Sequence, residues 1–335
     1  MYASSPERKK YKTMQPKRTI NKIKDFDAVV DGIKVIKTID KKEKREFARK
    51  VMEGPFMDLR CDWAFKYFFE IKQNLSKFIT DILGLEVTDL EYLPNEIPVR
   101  DDKDRRAVMD VQCKNGKDKF LVEMQRLEES DMDDRLLYYG STLVHNQVKR
   151  GDKLYLVSPV YVLCITDYER KHQEPVPEGK FLFHYHNREQ DLAEAFGGDR
   201  LHFYYLELPR MKKMWEQTES DAERWSYIIK NLSIFAMMGV ADTHGFGNVI
   251  DSARIDNLSE TEQQKYLEAM ITEHYIRVTG EAAYNRGRRE GEVQGMEKGA
   301  ERKAVEIARQ MLSDGMPAET VAKYTGLTAD EIAAL

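Results

Sequence analysis

The chain has 335 residues, 41% of them hydrophobic and 33% charged, which is ample for one large or two ordinary domains with real cores. No apolar run reaches the roughly 18 residues of a membrane helix, and the longest candidate, Leu154 to Ile165, is broken by Ser158-Pro159. The net charge of −5 conceals an asymmetry, since residues 1–50 hold 16 Lys and Arg against 7 Asp and Glu, a net of +9 that leaves −14 for the remainder.

The basic N-terminus lacks the apolar stretch of a secretory signal. Cys61, Cys113 and Cys164 sit in apolar segments without CxxC spacing and read as reduced packing residues. Both features are those expected of a cytoplasmic protein. The basic first 50 residues, with Glu7 to Lys12 and Lys41 to Arg45 as their densest runs, read as an arm. It is either a polyanion-binding tail or a solvated leader. A short strand or hairpin is expected near Ile33 to Ile39.

From Met57 the spacing predicts a helix, with Leu59, Trp63, Phe65-Lys66 and Phe69 at three- and four-residue steps and Asp58 as its cap. Asp62 falls in the first turns, either as an exposed residue favoured by the dipole or pointing into a site at that helix end. A second helix, Leu75 to Leu83, should stop at Gly84. Glu86 to Leu93 reads as a strand, and Arg100 to Arg106 as a charged loop.

Ala107 to Arg126 (AVMDVQCKNGKDKFLVEMQR) is the stretch around which the chemistry is organised. Two alternating runs flank Asn115-Gly116, a strong hairpin signal. A two-residue Asn-Gly loop sets Asp110 opposite Leu121, whereas a four-residue loop from Asn115 to Asp118 sets it opposite Glu123. In both registers Asp110, Glu123 and Gln125 share a face. Facing carboxylates repel and are costly to bury unless a cation or proton joins them. A few hard oxygen ligands with room for water and phosphate suit Mg²⁺. The plain alternative is a solvated polar face.

Asp131 to Gln147 follows as a helix with Leu136, Leu137, Tyr139, Leu143 and Val144 on its apolar face. Pro159 to Thr166 reads as a strand covered on both sides. Further strands are expected at Phe181 to His186 and Leu201 to Leu208, giving an α/β layered domain. His184 and His186 would share a strand face. With no cysteine or carboxylate partner evident, they read as polar strand residues rather than zinc ligands.

Beyond Lys212 the chain is mostly helical, with amphipathic candidates at Trp225 to Met238 and Glu262 to Thr279. Gly287, Gly291, Gly295 and Gly299 recur at every fourth residue, either a helix–helix contact stripe or a flexible charged linker. The tail has helix-turn-helix punctuation: Gly315-Met316-Pro317, a short helix, Gly326, then Thr328 and Glu331 as a capping box. The acidic TADEIAAL end makes DNA reading by the last helix a poor fit and favours a packing or oligomerisation module. P-loop, serine-hydrolase and dinucleotide-binding motifs are absent from the sequence.

The ordered series DLRCDWAFKYFF, MDVQC, NG, VEMQR, DRLLYYGSTLVHNQ and SPVYVLCITDY, with its Gly-rich tail, resembles the PD-(D/E)XK nuclease family of transposases, or recombination-promoting nucleases. The resemblance runs from about Phe56 to the C-terminus. It implies a restriction-endonuclease-like α/β fold, a mixed central sheet flanked by helices and followed by a mostly helical C-terminal region. The expected organisation is an arm (1–53), a nuclease-like domain (54–211), a helical region (212–285) and the tail (286–335).

The resemblance further implies that Asp110 and Glu123 bind Mg²⁺, or Mn²⁺, with the Met124 carbonyl as a third ligand. Asp62 would orient metal-bound water or a second ion. Gln125 departs from the superfamily lysine: it has no charge and no basicity, so water activation falls chiefly to the metal. Arg135 could approach a phosphate, as could Arg100, Arg105 and Arg106, while Tyr139 and Gln147 support the sheet at least as readily as they serve the site. The function implied is a metal-dependent DNA endonuclease promoting recombination or transposition, with DNA as partner and homo-oligomers formed through the C-terminal helices. The alternatives are a DNA-binding or assembly protein with a weak site on the same fold, and a helical interaction protein whose acidic hairpin is solvent surface.

Overall fold

The computed structural model describes residues 21–35, 40–97, 107–189, 191, 194–235 and 243–335. The chain divides into two compact units, Met1–Ile271 and Thr272–Leu335.

The first unit begins with α1 (Phe26–Gly32) and α2 (Lys41–Glu53). Asp40 caps α2 by accepting the N–H groups of Lys42 and Glu43. Arg45 grips Asp31 through two hydrogen bonds of 2.9 and 2.7 Å. The Lys22 ammonium donates to the carbonyls of Asp256 and Leu258. Part of the basic segment read as an arm is therefore folded, its charge taken up by ion pairs and carbonyls. Charged residues around Ala48 and Met52, both buried, hid the apolar stripe of α2 in the sequence. Residues 33–35 carry no regular structure, and the rest of the strand expected there lies outside the described residues.

The aromatic periodicity after Met57 becomes α3 (Asp62–Phe69), followed by α4 (Lys72–Leu83). Gly84 ends α4 with φ +67°, a left-handed conformation natural to glycine, and donates its N–H to Thr80 O at 2.8 Å. Phe65, Phe68, Phe69 and Phe78 pack with Trp225 into one aromatic core, with rings 4.8 to 6.3 Å apart.

Asp58 does not cap α3, which starts at Asp62 with Cys61 in the cap position and no side-chain cap bond. Its carboxylate is buried and accepts instead from the Arg60 N–H, Nε and Nη2, with Arg126 Nη2 at 3.4 Å. Two guanidiniums outcompete a helix end for the same oxygens.

The strands are β1 (Leu90–Tyr92), β2 (Glu96–Ile97), β3 (Ala107–Val108), β4 (Val111–Asn115) and β5 (Asp118–Gln125). After α5 (Met132–His145) come β6 (Val160–Thr166), β7 (Leu182–His186) and β8 (Leu201–Glu207). Six of them form one mixed sheet in the order β1-β4-β5-β6-β8-β7, with β5/β6 and β6/β8 parallel and the other pairs antiparallel. All seven residues of β6 are buried, as expected of a strand covered on both faces. α5 crosses between the parallel pair β5 and β6 and lays Met132, Leu136, Tyr139 and Leu143 on Leu121, Val160, Val162, Cys164 and Tyr205. A Cβ at Gly140 would meet Leu201 Cδ1 at 3.0 Å, so glycine permits the close approach of α5 to β8.

α6 (Asp221–Phe235), α7 (Gly247–Ser252) and the start of α8 (Glu260–Ser313) complete this unit. α6 starts four residues earlier than its apolar spacing suggests, and the expected end at Met238 lies outside the described residues.

In the second unit the backbone of α8 is helical through the four-glycine segment. α9 (Ala318–Thr325) ends at Gly326, φ +73°, and α10 (Ala329–Ala333) starts from Thr328. The Thr328 hydroxyl accepts the Glu331 N–H, while Glu331 accepts the Thr328 N–H at 2.7 Å. Ala308, Val321 and Ile332 form this unit's core.

Candidate active site

The β4–β5 hairpin pairs Val111 with Val122 and Asn115 with Asp118. Gly116 has φ +59° and occupies the first central turn position, where a residue without Cβ is needed. This is the register that sets Asp110 against Glu123. Asp110 lies at the bend just before β4, and each carboxylate is held by the opposite backbone. Glu123 Oε1 accepts the Asp110 N–H at 3.0 Å, and Asp110 Oδ2 accepts the Met124 N–H at 2.9 Å.

Asn95, just before β2, straps the bend. It donates to Asp110 O at 2.8 Å, accepts the Gln112 N–H at 3.3 Å, and its carbonyl accepts the Met109 N–H at 2.8 Å. The Gln125 carbonyl takes the Asp167 N–H on the β6 side at 2.9 Å. Strand alternation therefore directs the Met124 carbonyl to the β4 side, where Asp110 sits.

Glu123 is 3% exposed. Burial, and then the charge of Asp110, push its carboxyl up to about 8. Burial also raises Asp110, against the pull of the Met124 N–H and Lys66. Both carboxyls are therefore harder to ionise than ordinary ones.

Asp62 opens α3, and the sequence left its direction undecided. Its carboxylate, 59% exposed, meets Lys66 Nζ at 2.6 Å one helical turn later, and the same ammonium lies 3.2 Å from Asp110 Oδ1. Burial opposes the charge on Lys66, but Asp62 and Asp110 together hold its pKa above the ordinary lysine value. Asp62 and Asp110 thus meet at one lysine, whose charge also favours ionised Glu123. Sequence reading placed Lys66 in the helical spacing but assigned it no part in the site, although its i,i+4 spacing from Asp62 was visible.

Gln125 continues the Glu123 face, half-buried at the end of β5. Arg135 turns to Glu129, with Nη1 to Oε2 at 2.8 Å, while its charge still lowers Glu123. Its Nε is buried without a hydrogen-bond partner among the described residues. Tyr139 belongs to the α5 core, and Gln147 makes two hydrogen bonds with the backbone of Ser158. Both support the sheet. Arg100, Arg105 and Arg106 lie outside the described residues.

The donor set fits a divalent cation. Two carboxylates and one carbonyl converge, the pair is destabilised as a dianion, and a protein cation already leans on one of its oxygens. Oxygen donors in this number suit a hard ion that keeps water ligands.

A mixed sheet with flanking helices and an acidic pair on its central hairpin defines a restriction-endonuclease-like fold. A family model described as PD-(D/E)XK nuclease family transposase matches residues 59–276, and the chain belongs to that family. A second, described as Rpn/YhgA-like nuclease family, C-terminal HTH domain, matches residues 301–335, where the punctuation of the sequence indicated such a turn. No curated protein and no solved structure matches the chain. Among the described residues, no helix is long and apolar enough to cross a membrane.

Proposed function

We propose that this chain is a Mg²⁺-dependent DNA endonuclease, with Mn²⁺ as substitute, whose breaks promote recombination. The observation that carries this reading is the pair of half-buried Asp110 and buried Glu123, each carboxylate fixed by a backbone N–H of the other's strand, with Glu123 raised to about 8 by burial and the charge of Asp110. A divalent ion held by both, with the Met124 carbonyl, would polarise a phosphodiester and acidify a bound water.

The chain's own residues do the rest. The Asp110 and Glu123 carboxylates stay fixed because backbone N–H groups hold one oxygen of each. Lys66 neutralises Asp110 in the resting site and turns to a non-bridging phosphate oxygen when DNA arrives, supplying the charge that Gln125 lacks. Gln125 orients water through its amide, and Asp62, at the solvent end of α3, accepts a hydrogen bond from water approaching the phosphate. The helix-turn-helix segment, with 4 Lys and Arg against 6 Asp and Glu in residues 301–335, serves assembly in preference to base reading. The basic leader and Arg100, Arg105, Arg106 and Arg135 serve the phosphate backbone.

The neutral Gln125 and the lysine already paired with Asp110 favour one second reading, a DNA-binding or assembly protein whose site turns over weakly. Supercoiled plasmid incubated with Mg²⁺, with EDTA, and with an Asp110→Ala/Glu123→Ala variant separates the two. Nicking that needs both metal and carboxylates is the expected result. Folded protein that binds DNA but leaves the plasmid intact across Mg²⁺ and Mn²⁺ selects the second reading.

A further inference from the structure

The sheet face opposite α5 carries a second cluster. On β8, Leu201, Phe203 and Tyr205 turn toward α5, so His202 and Tyr204 face the other way. The same alternation on β7 sends Phe183 to the α5 side and His184 and His186 away from it. Register brings these together across the strands, with His186 opposite His202 and His184 opposite Tyr204. Donor atoms of His184, His186 and His202 lie within 4.8 Å of one another. The turn entering β8 adds a carboxylate, because Asp199 folds back with φ +59°, a left-handed conformation uncommon for a non-glycine residue.

The distances set the Asp199 carboxylate beside the three imidazoles. His184 Nε2 is 3.0 Å from His202 Nδ1, His202 Nδ1 is 3.9 Å from Asp199 Oδ1, and His186 Nδ1 is 3.0 Å from the same oxygen. Four ligands about 2.0–2.1 Å from a tetrahedral zinc ion stand about 3.3 Å apart, so these separations bracket what zinc requires. His202 Nε2 lies 2.9 Å from the Asp199 carbonyl, which can only accept a hydrogen bond. The ring proton is therefore on Nε2, and Nδ1 turns a lone pair into the cluster. A ligating histidine whose other nitrogen is tied to a carbonyl is the usual arrangement in zinc sites.

A cation already attends the cluster. Arg188 Nε is 2.8 Å from His186 Nε2 and Arg188 Nη2 is 3.4 Å from Asp199 Oδ2, on a side chain 43% exposed. It can turn to solvent when a dication takes its place.

We propose that His184, His186, His202 and Asp199 form a zinc-binding site that clips the edge strand β7 to β8, separate from the carboxylate site on the α5 face. Two imidazoles from β7, one from β8 and the Asp199 carboxylate fill the four positions of a closed structural site. Borderline ligands of this kind select Zn²⁺ over Mg²⁺.

The test uses the untagged full chain, stripped with chelator and titrated with Zn²⁺ by competition against a colorimetric indicator, in excess Mg²⁺. An Asp110→Asn/Glu123→Gln background excludes the other site. One Zn²⁺ per chain is expected, with a higher melting temperature and, on Co²⁺ substitution, the visible bands of a four-coordinate N/O site. His184→Gln, at an exposed position, and His186→Gln, at a half-buried one, should weaken binding by at least about tenfold, and Arg188→Gln should strengthen it. Zn²⁺ bound well below one per chain, or binding unchanged in the two histidine variants, would overturn the proposal.

Discussion

Glu123 receives the backbone N–H of Asp110 at 3.0 Å, so the two acidic residues are joined by the backbone of one and the side chain of the other. The contact fixes the geometry of the pair and offsets only part of the cost of its charge. Burial and mutual repulsion remain, and they define how the site should respond to pH, to cations and to substitution.

The first consequence is a pH dependence. The Glu123 carboxyl rises from an ordinary 4.5 to about 8 in the folded chain without metal. A raised carboxyl favours folding while it stays protonated, fully below its unfolded value, and that contribution is lost as pH rises toward about 8. Metal-free protein should lose melting temperature across this window, Glu123→Gln should flatten the loss, and Mg²⁺ should restore stability at the alkaline end. Melting curves from about pH 5 to 9 with and without EDTA check this; parallel curves for the two proteins would count against the buried pair.

Lys66 should matter for rate more than for metal binding. Lys66→Met removes the ammonium 3.2 Å from Asp110 while keeping much of the side chain's apolar bulk. Loss of one positioned charge at a phosphate site should lower cleavage by about 10²-fold. Metal affinity should hold or rise, because a competing cation has gone. Single-turnover cleavage and Mn²⁺ titration read the two effects separately, and an unchanged rate would return Lys66 to a purely structural ion pair.

Asp58 belongs to the fold. Burial works to raise its carboxyl, but Arg60 and then Arg126 hold it below the ordinary value. Its stabilisation is present above the unfolded value and is lost as pH falls through the folded one. Asp58→Asn leaves the half-buried Arg60 and Arg126 with Asp167 as their remaining carboxylate and should cost about 2 kcal/mol. Urea denaturation at neutral pH measures it, and the wild-type advantage should shrink in acid.

Thr328→Ala deletes the capping box of α10. A cost of about 1 kcal/mol is expected, confined to the 272–335 unit. Hydrogen exchange should show faster amides around Ile332 with the hairpin unaffected.

What the sequence determined by itself is local and periodic. Alternation on either side of Asn115-Gly116 put Asp110, Glu123 and Gln125 on one face whatever the turn, because a shift of two residues in pairing preserves the side of a strand. Gly84 and Gly326 marked helix ends because αL is cheap for glycine, and Thr328 with Glu331 marked a beginning. The continuous β-branched run of β6 announced a strand buried on both faces.

Only the tertiary structure decided which distant groups meet. Lys66 reaches Asp110 from a helix 44 residues earlier in the chain, and Asp58 was taken from its expected cap by Arg60 and Arg126. His184 and His186 lacked visible partners until the β7–β8 register and the turn at Asp199 supplied His202 and a carboxylate. α2 formed within a segment whose charge suggested a free arm, because it buries Ala48 and Met52 while Arg45 and Arg49 pair with Asp31 and Asp27. Periodicity records how each segment solves its own burial problem. Pairings between segments depend on the sheet order and helix docking chosen by the whole chain, and spacing along the chain carries no record of them.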